Sequence, residues 1–421
     1  MKSLLVIIFA ICICVLYLKR CGLVQRLRAV VFASTPKQKQ DPFWDAITCR
    51  RILACTGLNE ADLRNKWDAL VSRAVPNQRL KRAFGIDNAF TTTNKDYHKR
   101  FRRSVEFKLK MDAHGWKDIA DSALAIVRNK TERDSYNRKG IQLGALVQSL
   151  TFRISLRVLF SQNPLKLDEN DVESITHRIN YIWIHSKLPM DHIPLFSDQR
   201  DLQEALKRVL PDHALTPRET PLNYILPGYE TTWRVTLRCA IEVIFRDGKR
   251  HTEWRDALKT FLANPTMENF EKPYGSCLVS VSFIVSEALR LYPPTRRVFR
   301  AVHLATRDYP EIIAADVENC HRNPAVWGED AFCFLPARWG NIDSQAVEAF
   351  IPFGGKPFTC PAKQEFGPRM IGVLVAALVV GISEEYDWRA LCPHDEISSN
   401  EPLALARDSY ETLTLVRKDL V

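Results

Sequence analysis

At 421 residues and a formal net charge of +10, with 46% hydrophobic residues, 16 Gly and 23 Pro, the chain exceeds one ordinary small domain and has the composition of a folded protein. Disordered and fibrous classes are excluded, and no repeat of solenoid or propeller length occurs. The basic excess fits a membrane surface, an acidic protein partner or a soluble basic surface; nucleic acid ranks last, because Cys/His finger spacing, glycine-aromatic RNA motifs and basic heptads are all missing.

In chain order, the first feature is an almost unbroken apolar run from Leu4 to Leu18, set between Lys2 and the pair Lys19-Arg20. With Met1, Ser3 and Leu23 it nearly reaches the about 20 residues of a membrane-spanning helix. A cleaved signal peptide is the rival reading, and Lys19-Arg20-Cys21 makes a poor cleavage site. Lys19, Arg20, Arg26, Arg28, Lys37 and Lys39 follow the run, so the positive-inside rule keeps the bulk of the chain on the cytosolic face. Residues 1–23 are therefore expected to be an uncleaved membrane anchor, 24–97 a basic linker with the N-terminal part of the main domain, and 98–421 its core.

Beyond the anchor the pattern is mainly helical. Apolar residues recur at three and four spacing over 118–127, 142–160, 174–185, 200–210, 222–246, 276–292 and 369–382. Strand-like pieces are short and few, and Pro-bearing breaks fall near 163–164, 189–194, 211–221, 293–294 and 307–311. No Gly- or Ser-rich linker divides the chain. The expected fold is one large, mainly α domain with a small β region.

Eleven cysteines are scattered along the chain without a paired framework or zinc spacing, which fits reduced thiols. Cys360 has the most informative surroundings, FIPFGGKPFTCPAKQEFGPRMIGVLVAALVVGI. Phe353-Gly354-Gly355 permits a sharp turn. Pro361 suits a first helical position, and a long apolar helix follows. A cysteine at a helix N-terminus is biased towards thiolate, a ligand for a soft or borderline metal. A buried structural cysteine is the plain alternative.

FGGKPFTCPA resembles the heme-binding loop of the cytochrome P450 superfamily, with Phe353 and Cys360 at the matching separation. Lys356, Phe358 and Ala362 depart from its pattern; Phe358 stands where an arginine usually meets a heme propionate. Three further segments fall in the family's order. Glu287-Ala288-Leu289-Arg290 leads into a proline pair, and Arg338 follows in Phe334-Leu335-Pro336-Ala337-Arg338-Trp339, with the connecting His321-Arg322-Asn323-Pro324 between them. Gly228-Tyr229-Glu230-Thr231 sits in a long apolar helix behind Pro227. His98 and Arg102 have the spacing of the family's propionate-binding helix, and Arg297 follows the proline pair. Lys99, Arg100 and Arg103 would lie on a basic face that docks an acidic reductase.

The resemblance implies a cytochrome P450-like helical domain with 98–421 as its heme-binding catalytic core, similar to fungal, microsomal, secondary-metabolism members. It implies heme b (iron-protoporphyrin IX) on an axial Cys360 thiolate, with Phe353 beside it and His98, Arg102 and Arg297 at the propionates. Glu287, Arg290 and Arg338 would form a buried ionic cluster. Thr231 would stand beside the oxygen-binding position, with Glu230 feeding protons behind it. The implied activity is monooxygenation of a lipophilic small molecule in secondary-metabolite biosynthesis. NADPH-cytochrome P450 reductase would supply the electrons, with cytochrome b5 as a second donor, at the endoplasmic reticulum membrane, because no dinucleotide fingerprint is present in the chain. The alternatives are a heme-thiolate isomerase or dehydratase needing neither dioxygen nor NADPH, and a degenerate, non-catalytic member.

Overall fold

The computed structural model describes residues 44–56, 68–135, 140–276, 278–302, 310–383, 387–392, 397 and 401–418; the expected anchor, 1–23, lies outside them. The described helices are α1 (Ala46–Ala54), α2 (Ala69–Phe84), α3 (Lys95–Lys108), α4 (Ala113–Ser135), α5 (Leu143–Phe160), α6 (Glu169–His185), α7 (Arg200–Val209), α8 (Leu222–Phe245), α9 (Thr252–Ala263), α10 (Met267–Glu271), α11 (Val281–Leu291), α12 (Val317–Arg322), α13 (Pro324–Trp327), α14 (Ser344–Ala349) and α15 (Phe366–Ser383). Each stretch with helical periodicity became a helix. Asp45, Asp68, Asn94, Asp168 and Ser280 begin theirs by accepting from a first-turn amide, which satisfies donors a helix start leaves open.

Strands β1 (Ile141–Gln142), β2 (Arg297–Val302), β3 (Glu311–Asp316), β4 (Trp388–Leu391) and β5 (Thr414–Arg417) make two small antiparallel sheets, ordered β1-β5-β4 and β2-β3. In the second, Arg297 lies opposite Asp316 and Arg300 opposite Ile313.

Two hydrophobic cores hold these elements. The larger collects the apolar faces of α4, α5, α8, α9, α11 and α15, including Trp233, Phe152, Phe261 and Leu374. The smaller joins α1 to β3 and α12 through Cys49, Ile52, Ile313 and Trp327. Helix α5 is apolar and long enough to span a membrane, yet 67% of it is buried in the protein, which makes it a core helix. Helices α8 and α15 pack against each other in the larger core.

Candidate functional site

Cys360 lies in a loop that folds back on itself. The Cys360 amide donates to the Phe353 carbonyl at 3.0 Å, Phe358 to Gly355 at 2.9 Å and Gly354 to Ile351 at 3.1 Å. Gly354 has φ 68°, a conformation that strains any side chain. The Phe353 ring packs on the start of α15, where a Cβ added at Gly367 would stand 3.0 Å from it.

Helix α15 begins at Phe366 rather than at Pro361, and 361–365 form a turn that Gly367 closes by donating to the Ala362 carbonyl at 2.7 Å. Pro368 explains the difference. In a helix starting at Pro361 it would be interior, lacking an amide and pressing on the preceding turn; in one starting at Phe366 it falls in the first turn, where that amide has no helical partner. Cys360 is thus not at the helix N-terminus. Burial pushes its free thiol upward in pKa, and the Ala362 amide, Arg73 and Arg102 oppose that push.

Phe358 gathers the bases. The Arg73 guanidinium, from α2, lies 4.5 Å from its ring centroid and that of Arg300, from β2, lies 5.5 Å away. The His98 ring, from α3, meets it edge-on at 5.7 Å. Arg73 also stacks on Phe90 at 4.3 Å. Burial pushes Arg73 down to about 9, helped by the neighbouring charge of Arg300. His98 is lowered by burial and by Arg73 and Arg102. Among the described residues neither Arg73 nor Arg300 pairs with a carboxylate, and the buried Nε of Arg300 has no hydrogen-bond partner. Arg102 reaches Glu106 at 2.8 Å. A cavity of about 490 Å³ opens beside the group, lined by Leu70, Lys95, His98, Pro357 and Phe358 among others.

The expected propionate residues therefore divide. His98 and Arg102 stand beside the cysteine loop. Arg297 turns to the other face of β2 and pairs with Asp316 at 3.1 Å, its side chain 48% exposed. Arg300, three positions on and so on the opposite face, points in. Its place could have been read from the period-2 alternation of a strand; that of Arg73 could not, because nothing local links α2 to residue 358.

Helix α8 carries Pro227, whose missing amide opens the helical ladder. Thr231 donates to the Pro227 carbonyl at 2.9 Å and Thr232 to the Gly228 carbonyl at 2.7 Å, a pattern that bends helices. Pro227, Gly228, Thr231 and Thr232 keep partial exposure while Tyr229, Glu230 and Trp233 are buried, so one face of α8 stays open inside the protein. Phe101 stacks on Tyr224 at 4.9 Å, which ties α3 to the start of this helix. Glu230 points away from Thr231's open face and pairs with Arg407, leaving its Oε1 without a partner.

Glu287, Arg290 and Arg338 do meet. Arg290 donates to both Glu287 oxygens at 2.8 Å, Arg338 Nε donates at 2.9 Å, and the Leu335 amide and Trp339 Nε1 complete the carboxylate at 2.9 and 3.0 Å. The remaining Arg290 protons go to the carbonyls of His321, Ala331 and Cys333. His321, fully buried, receives the Ile351 amide on Nε2 at 2.9 Å, linking this cluster to the cysteine loop. Burial and the adjacent Arg290 charge hold it neutral, with its pKa pushed down to about 3.

No family model matches the chain. It is 28% identical over 222 residues to a cytochrome P450 of Arthroderma benhamiae, covering 47% of this chain and 41% of that protein. It is 34% identical over 111 residues to cytochrome P450 714A2 of Arabidopsis thaliana, covering 24% and 21%. The chain thus spans well under half the length of these curated relatives. Cytochrome P450 154A1 of Streptomyces coelicolor superposes with a TM-score of 0.53 at 17% identity over 90% of this chain and 89% of that one. A cytochrome P450 of Thermus thermophilus does so with 0.52 at 14% identity over 83% and 87%. The chain therefore has the fold of the cytochrome P450s, and a stretch of its sequence is similar to members of that family.

Proposed function

We propose that the protein is a heme-thiolate monooxygenase acting on a lipophilic small molecule. The observation that carries this reading is the charge imbalance at the cysteine loop. Arg73 and Arg300 are desolvated cations without carboxylate partners among the described residues, set around a free cysteine thiol. Buried charge is costly unless neutralised. A group that brings two carboxylates and an iron that a thiolate can hold fits that set, and heme b, with its two propionates, is such a group.

Cys360 would hold the iron, and Arg73, Arg300, Arg102 and His98 the propionates. Phe358 then replaces the family's loop arginine with a ring on which arginines from elsewhere stack. Phe353 would cover the thiolate side. Bound in this way, heme supplies dioxygen activation, with one atom passing to the substrate and the other leaving as water. Thr231, on the open face of α8, would hold a proton at its hydroxyl. Glu230 would deliver protons to it after leaving Arg407. Glu287, Arg290 and Arg338 keep the cysteine face rigid through His321 and Ile351.

The electron source would be NADPH through a separate membrane-bound flavin reductase, with cytochrome b5 as a second donor. The anchor at 1–23 would hold the protein to the endoplasmic reticulum membrane. The AFGIDNAFTT and LYPPTRRVFR segments support a place in fungal secondary metabolism. The test is dioxygen uptake by the heme-loaded full chain with NADPH and reductase. Uptake that needs both, and drops at least tenfold in Thr231→Val with heme content unchanged, is expected. Turnover of a substrate without NADPH and dioxygen would replace this reading by that of an isomerase or dehydratase.

A further inference from the structure

Two cysteines that the heme-binding reading leaves idle face each other in the smaller core. Cys49, on α1, is fully buried, and Cys320, on α12, is 2% exposed; Ile52, Ala315 and Ala349 share that core with them. The Cys49 thiol donates a hydrogen bond to the Cys320 sulfur. Cys320 in turn donates to the Ala349 carbonyl at 3.5 Å. Both thiols are free. Two sulfurs in hydrogen-bond contact need only a small side-chain movement to reach the about 2 Å of a disulfide.

The contact also gives the two sulfurs different roles. The hydrogen bond from Cys49 lowers the pKa of Cys320 and raises that of Cys49, and burial raises Cys49 further. Cys320 is therefore the sulfur disposed to attack an oxidant, and Cys49 the one that resolves the product. Burial keeps out a bulky oxidant such as oxidised glutathione, whereas a peroxide is small. Helix α1 provides the way in. At nine residues it is too short to persist without its packing, and its local opening uncovers Cys49.

A bond at this place would hold α1 against the cysteine loop. Leu53 of α1 lies on that loop, where a Cβ added at Gly355 would stand 3.5 Å from it. Arg50 Nε donates to the Glu348 carbonyl at 2.7 Å, in the segment leading to the loop. Cys320 directly precedes His321, whose Nε2 receives the Ile351 amide.

We propose that Cys49 and Cys320 are a thiol pair that hydrogen peroxide closes into a reversible disulfide, clamping α1 onto the wall of the cysteine loop. The Cys320 sulfur attacks one peroxide oxygen and breaks the O–O bond; the other oxygen leaves as water, and Cys320 becomes a sulfenic acid. The Cys49 sulfur then displaces that hydroxyl, which takes the Cys49 proton and leaves as a second water. Two electrons pass from the two sulfurs to one peroxide. The chemistry is independent of whether the chain holds heme.

The test is peptide mapping by mass spectrometry on the full chain, freshly reduced and then treated with hydrogen peroxide at the dose that oxidises the exposed Cys333. Remaining thiols are blocked with iodoacetamide and the chain is digested without reductant. A Cys49–Cys320 linked peptide in most chains, removed by dithiothreitol, is expected. Trypsin cleavage of the folded chain at Arg50 and Arg51, exposed positions of α1, should slow at least tenfold on oxidation. In Cys49→Ala and Cys320→Ala it should not respond to peroxide. A pair still reduced at that dose overturns the proposal, as does either cysteine ending as a sulfinic acid or bonded to a different partner. A linked pair with unchanged trypsin cleavage overturns the clamp.

Discussion

The Glu287 cluster and the arginine group around Phe358 are both charged and both withdrawn from water, yet they are completed in opposite ways. At Glu287 each carboxylate oxygen receives donors at 2.8–3.0 Å, and the arginines spend their remaining protons on backbone carbonyls and, from Arg338, on the Asp330 carboxylate at 3.0 Å. Around Phe358 Arg73 and Arg300 stack on rings and, among the described residues, pair with no acid. A closed network is a structural joint, because it needs nothing from outside. An open one is a socket, because the protein alone leaves its charge unanswered.

The contrast can be broken most forcefully at Glu287. Glu287→Ala leaves two arginines and an indole facing an empty, buried position, and should cost about 3–5 kcal/mol of stability. Urea unfolding of the heme-free protein measures this directly. A loss below about 1 kcal/mol would mean the joint is not closed as described.

His321 comes next. Its pKa is about 3 when folded, against an ordinary 6.5, so between those values the unfolded chain binds the extra proton and stability falls as pH falls. The slope should approach about 1.4 kcal/mol per pH unit for this one group. His321→Asn should flatten that part of the profile; an unchanged slope would assign it to other groups.

Arg73→Gln should act with the opposite sign to Glu287→Ala on the heme-free protein. Removing an unanswered charge should leave stability unchanged or raise it, while heme dissociates about ten- to a hundredfold faster, as expected for losing one charged hydrogen bond of about 1.5–3 kcal/mol. Transfer of heme to an apo-globin acceptor reads the rate. Comparable destabilisation in both variants would erase the distinction between joint and socket.

The smallest effect belongs to Arg297→Gln. Its partner Asp316 is reached from an exposed position, so stability should change by less than about 1 kcal/mol and heme retention not at all. Arg300→Gln in the same strand should speed heme loss. The reverse ranking would restore Arg297 to the propionate.

Much of this was legible in the sequence. Glu287 and Arg290 are three apart on one helix face, and Arg338 followed in the expected segment, so the joint could be assembled on paper. The helices of the core announced themselves by apolar spacing. Helix α2 did not: Pro76 lies inside it, where a proline reads as a break, and its own apolar pattern is weak. Arg73 was therefore hidden, and with it half the socket. Arg407 was hidden for another reason, since it comes from a loop near the C-terminus and reaches Glu230 across 177 positions of sequence. Pairings of that range leave no periodic trace. The start of α15 at Phe366 was decided by Pro368, a signal present in the sequence but outweighed there by Pro361.

The central claim is that Cys360 and the unanswered arginines hold a heme. The most direct measurement is the absorption spectrum of the purified full chain, reduced under carbon monoxide, for wild type and Cys360→Ala at matched protein concentration. One heme per chain with the red-shifted Soret band of a thiolate complex, lost in Cys360→Ala, is the predicted result. A wild-type chain that binds no heme, or a band that persists without Cys360, would contradict it.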